Sequence, residues 1–112
     1  AKRNMFFVNL EGYEVNNYAD IDALRHAEDE RLKPLGRKVP AVVNYDHFSI
    51  APDLMDHYIG MVQYLAENFY SRVTRYTSSA FMRSYFGKAF GKHQTDPGLY
   101  ASSEEALSRL QE

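Results

Sequence analysis

"VPAVVNYDHFSIAPDLMDHYIGMVQYLAENFYSRVTRYT", residues 39–77, carries a strand, a helix and a second strand in one continuous piece. Val39, Val42 and Val43 make a short β-branched run after a turn signal, which reads as a central strand over residues 39–45. Pro52 stands where a first-turn proline belongs, and Asp53 and Asp56 suit the positive end of a helix dipole. Leu54, Tyr58, Met61, Val62, Leu65 and Phe69 then recur with helical period as one apolar stripe. "RVTRYT", residues 72–77, alternates Val73 and Arg75 with Thr74 and Tyr76 and reads as the next strand. A helical connection of this length implies parallel pairing through a right-handed crossover.

The flanks extend the same alternation. Toward the N-terminus, the apolar run Met5 to Val8 with Leu10 reads as a strand over residues 5–11, extending to Val15, with Gly12 allowing a bend. Asp20 reads as the N-cap of a helix whose apolar side is Ile21, Leu24, Ala27, Leu32 and Leu35. Glu28, Asp29, Glu30 and Arg31 are expected to face water, and Pro34 with Gly36 to end that helix. Toward the C-terminus, Ser78 or Ser79 caps a helix running to about Phe90, with Phe81, Tyr85, Phe86 and Phe90 mostly filling the core. "TDPG" is a turn, Leu99 and Tyr100 read as a short edge strand, and Ser102 with Glu105 forms a capping box for the last helix. The expected fold is α/β: a four- to five-stranded, mainly parallel sheet with about four helices, covered mainly on one face, in a single domain over residues 1–112.

Composition narrows the function classes. With 112 residues, 45% hydrophobic content and sixteen aromatic rings, the chain can bury enough apolar surface to fold as one domain. It has no cysteine, which removes thiolate chemistry and Cys-based zinc sites and suits a reducing compartment. No apolar run approaches the ~20 residues that cross a bilayer, so a soluble, cytoplasmic protein with no membrane partner is expected. The sequence begins "AKRN" without an initiator Met, and a fragment of a longer chain is expected. The net charge of -2 is unevenly spread: residues 1–67 hold eleven acidic and seven basic side chains, residues 68–95 none and five, and residues 96–112 four and one. A basic stretch between two acidic ones points to local pairing or a small anion site, and away from nucleic acid.

That basic stretch supplies the candidate site. Arg72 and Arg75 lie on one strand, and Ser78 and Ser79 bring hydroxyls and free N–H groups to a helix N-terminus, a combination able to cradle a phosphate or carboxylate. The competing reading gives the serines to helix capping and the arginines to carboxylates of the acidic first helix or a neighbouring chain. Tyr70, Tyr76 and Tyr85, with Lys88, form a candidate partner surface. Asp46, His47, Asp53 and His57 lack metal-ligand spacing, so no metal is assigned and they read as caps and solvated side chains. No Ser-His-Asp order, P-loop or GxGxxG occurs.

Taken together, "FFVNLEGYEV" (6–15), "ADIDALRHAEDERL" (19–32), "VPAVVNYDHFSI" (39–50) and "LYASSEEALSRL" (99–110) resemble the layout of the STAS domain, the fold of the anti-sigma-factor antagonists. More specifically, "NMFFVNLEGYEV" (4–15), "VVNYDHFSIAPDLMDHY" (42–58), "MVQYL" (61–65) and "SRVTRYTSSAFMR" (71–83) resemble the C-terminal extension of bacterial family I CoA-transferases acting between acyl-CoA and acetate or propionate. The resemblance implies a catalytic glutamate and Gly-rich coenzyme A loops in a parent catalytic domain, and no residue here matches them; Glu11 before Gly12 ends a strand. It implies no catalytic residue and no cofactor in this domain, coenzyme A being a substrate of the parent. STAS antagonists carry a phosphorylatable hydroxyl at the helix after the central strand, where this chain has Pro52 and Asp53, with Ser49 in the loop before.

The implied role is a non-catalytic accessory domain whose partners are the parent's catalytic domain or neighbouring subunits, in a possible homo-oligomer. The alternatives are a free-standing STAS-like regulatory interaction module and a small anion- or nucleotide-binding domain.

Overall fold

A computed structural model describes residues 5–111. The central strand β3, Val39–Asn44, is buried at five of its six positions, as a parallel strand covered on both faces must be. It pairs in parallel with β1 (Phe6–Asn9) on one side and β5 (Tyr70–Tyr76) on the other. A short β6, Leu99–Tyr100, adds to β5, giving the order β1-β3-β5-β6 with every pairing parallel.

The first strand is shorter than its apolar run suggests. Leu10 N–H still donates to Asn44 O, but Gly12, at φ 72°, turns the chain and gives its N–H to Asp46 O. β2, Glu14–Val15, then leaves the main sheet and pairs in parallel with β4, Ser49–Ile50, as a separate two-stranded ribbon. No sequence pattern marked β4, because a two-residue strand has no period to read.

Helix α1, Tyr18–Leu32, starts before the expected Asp20: Asn17, in extended conformation, is the N-cap and accepts from Asp20 N–H, while Asp20 accepts from Asn16 N–H. Its buried residues are Ile21, Glu28 and Leu32, whereas Ala27 is exposed. At about 100° per residue, positions 28 and 32 each lie within about 20° of position 21, and position 27 does not. Glu28 therefore turns inward, against the expectation that it faces water. A 3-10 turn, Lys33–Leu35, follows and leaves Leu35 exposed, before Gly36 closes the element at φ 66°.

Helix α2, Met55–Asn68, follows a 3-10 turn at Pro52–Leu54, and the expected stripe from Leu54 through Leu65 is buried, with Phe69 half-buried. α3, Ala80–Lys92, is capped by Ser79 Oγ accepting from Met82 N–H, and buries Met82, Phe86 and Phe90. Phe81, expected in the core, is 73% exposed, because it stands about 100° around the helix from Met82 and farther still from Phe86 and Phe90. α4, Ser103–Leu110, has the expected Ser102 cap on Glu105 N–H.

Side chains from α1, α2 and α3 share one core with Val8, Ala41, Val43 and Tyr70 of the sheet. Among the described residues, the opposite face carries only α4, whose Ala106 and Leu110 pack on Val42 and Tyr76. Thr74 Oγ1 donates to Ala106 O at 2.9 Å and fixes α4 to β5. On the edge strand beyond α4, Phe7 is half exposed. Among the described residues, no helix is long and apolar enough to cross a membrane.

Candidate functional site

Parallel sheets gather their loops at the carboxyl ends of the strands, where ligand sites of open α/β folds lie. Here those ends bring together Asn9, the last residue of β1, with Glu11 beyond it, Asn44, the last of β3, with Asp46, and Tyr76, the last of β5, with Thr77 to Ser79. Asn44 Nδ2 donates to Asn9 Oδ1 (3.1 Å) and to Glu11 Oε1 (3.5 Å), and Asp46 N–H donates to Asn44 Oδ1 (2.9 Å). The next residue, His47, sits in the left-handed region at φ 61°. The Tyr76 phenol is pushed up from its ordinary pKa by burial and then by the charges of Asp46 and Glu11.

The entrance to α3 is the part of this cluster that the sequence marked as an anion cradle. Ser78 N–H, just ahead of the Ser79 cap, donates to Asp46 Oδ1 at 2.6 Å, so a carboxylate of the chain itself already sits at the entrance to the cradle. Ser79 N–H donates to Thr77 Oγ1, and Ser79 Oγ is committed to Met82 N–H. Arg83 Nη1 donates to Thr77 O, which leaves the loop closed on itself.

The two candidate arginines separate. Side chains three positions apart on a strand project from opposite faces, and β5 exposes Arg72 while burying Arg75 on the face covered by α1, α2 and α3. Arg75 Nη1 donates to Pro97 O (2.8 Å) and Asp96 O (3.5 Å), with its guanidinium over the Phe90 ring at 4.9 Å. Of the four, only Ser78 and Ser79 stand at the cradle, and Arg75 serves the interior.

The candidate partner surface also divides. Tyr70 is buried with its hydroxyl donating to Glu28 Oε1 at 2.6 Å, and Tyr76 is buried under α4. Six positions apart, they would share a face of a regular strand; the register shift in β5 opposite Val39 and Pro40 leaves Tyr70 in the main core and Tyr76 under α4. Lys88 is exposed and Tyr85 half-buried, and both line a shallow groove of about 260 Å³ with Pro52 and Lys92. Phe81 extends that surface, its ring 5.8 Å from Tyr85.

Two of the four histidines bind carboxylates across elements. His57 Nε2 lies 3.4 Å from Asp22 Oδ1 and its ring 4.5 Å from Tyr18, and His93 Nε2 lies 2.8 Å from Asp56 Oδ1. The His93 bond, helped by Lys92, holds the Asp56 carboxyl below its usual range. Among the described residues, no group of three or more His, Asp or Glu side chains is placed to hold a metal ion.

Sequence reasoning missed a polar set inside the main core: Glu28, Tyr45, Tyr58, Tyr70 and Arg75. Burial pushes the Glu28 carboxyl above its ordinary pKa, partly offset by the Tyr70 hydroxyl. Burial likewise raises the phenols of Tyr45, Tyr58 and Tyr70, with Glu28 adding to each shift. The only trace in the sequence is a glutamate at the centre of an apolar helical face. Comparison with protein-family models, curated proteins and solved structures gives no match for this chain.

Proposed function

We propose that the chain is a STAS-like, non-catalytic accessory domain of a cytoplasmic acyl-CoA:carboxylate CoA-transferase, packing on the catalytic domain or on neighbouring subunits of that enzyme. The observation that carries this reading is the Phe81–Tyr85 pair, an apolar surface at the start of α3 within the segment "SRVTRYTSSAFMR" that resembles the transferase extension. Full burial of a phenylalanine is worth roughly 1.5–3 kcal/mol, which Phe81 gains only through a partner. Its continuation into the groove with Lys88 gives the contact a cationic rim. The internal occupation of the α3 cradle by Asp46 weighs against the anion-binding alternative.

The test is co-purification of this chain with the catalytic domain of a bacterial acyl-CoA:acetate CoA-transferase, comparing the native sequence with Phe81→Asp. A complex formed by the native chain and lost in the variant, with both variants equally folded by circular dichroism, is expected. An absent complex, or one indifferent to Phe81→Asp, overturns the reading.

A further inference from the structure

Between α1, α2 and β5 the main core contains a cavity of about 20 Å³, and all its lining residues except Val73 are buried. Roughly 10–15 Å³ suffices for one water molecule, provided polar partners are present. Five lining side chains are polar: Glu28, Tyr45, Tyr58, Tyr70 and Arg75.

A donor and acceptor count around this space leaves two loose ends. The Tyr45 and Tyr58 hydroxyls lie 2.6 Å apart and share one hydrogen bond. Two phenols carry two protons, so whichever donates, the other's proton needs an acceptor outside the pair. Arg75 cannot supply it: a guanidinium only donates, and its Nη1 bonds run to Pro97 O and Asp96 O. On the other side, Glu28 accepts from Tyr70 through Oε1, and a carboxylate has room for further donors. The spare phenolic proton and the spare carboxylate capacity thus border one space of water size.

We propose that this cavity holds a single ordered water, which accepts the spare proton of the Tyr45–Tyr58 pair and donates to the Glu28 carboxylate. A neutral molecule suits the site better than an ion, because Glu28 and Arg75 place opposite charges on its wall. The water completes a hydrogen-bonded path from Tyr70 and Glu28 to the Tyr45–Tyr58 pair. It thereby ties α1, α2, β5 and the residue that follows β3 to one another inside a core that is otherwise apolar.

A crystal structure of the chain at a resolution that reveals ordered water, combined with oxygen-17 relaxation dispersion in solution, tests this. One water within hydrogen-bond distance of Glu28 and of Tyr45 or Tyr58, with one long-lived water in solution, is the expected result. An empty cavity, or direct contact between Glu28 and a phenol that closes it, overturns the proposal. Glu28→Met, similar in volume but without the acceptor, is expected to lose the long-lived water, and its retention at the same position overturns the role given to Glu28. Should that variant fail to fold, the native chain alone decides.

Discussion

The Tyr70 hydroxyl donates to Glu28 Oε1 at 2.6 Å in the interior, joining β5 to the inner face of α1 across 42 positions of sequence. The bond matters because Glu28 is an acidic group on an otherwise apolar helix face, and a buried carboxylate without donors is costly. Tyr70→Phe is expected to destabilise the chain by about 1–3 kcal/mol. Urea unfolding should show a lower midpoint at unchanged slope; a midpoint equal to the native one removes the bond from the account.

The pH dependence of stability follows from the same group. The native pKa of Glu28 lies above its unfolded value, so between the two values the folded chain holds more protons. Stability is therefore fully present below the unfolded value, falls as pH rises through the raised one, and levels off above it. Glu28→Gln should remove this descending segment, read as the difference between two stability–pH curves from about pH 4 to pH 8. Asp56 acts in the opposite sense, its contribution being lost as pH falls, and it is common to both curves. Parallel curves for the two proteins would refute the assignment.

Arg72 and Arg75 should respond oppositely to truncation although they share a strand. Arg75→Ala removes charge-assisted bonds to Pro97 O and Asp96 O and the contact with Phe90, and a loss on the order of 2–3 kcal/mol is expected. Arg72→Ala, at an exposed position, should stay within about 0.5 kcal/mol of the native protein. Thermal melts of both variants check this, and equal effects would contradict the inward orientation of Arg75.

Asp46→Ala should expose the cradle at the start of α3. The Ser78 N–H loses its acceptor, at a cost of about 0.5–2 kcal/mol by analogy with helix caps. Inorganic phosphate should then raise the melting temperature of the variant more than that of the native chain, because an anion replaces the missing carboxylate. Equal responses would mean that Asp46 does not fill the anion position.

The stretch 39–77 shows how far the sequence can be read. β3, α2 and β5 are where their patterns place them, since Val39–Val43 and the Leu54–Leu65 stripe are signals of a single period. The caps at Ser79 and Ser102 were legible for the same local reason, a side-chain oxygen three residues ahead of its N–H donor. The candidate site was legible only in part. Serines at a helix start mark a cradle, but nothing near them in sequence says that Asp46, 32 positions earlier, fills it.

Alternation of apolar periods thus determined the class, the order of the four main-sheet strands and four helices and the parallel pairing of that sheet, because each depends on which residues repeat along a short segment. Tertiary structure alone decided which way Arg75 and Glu28 point, that Phe81 stays in water, and that Tyr45, Tyr58 and Tyr70 meet around one cavity. Those outcomes depend on the facing layer, α1 and α2 over β5 and α4 behind it, which no local window of sequence contains.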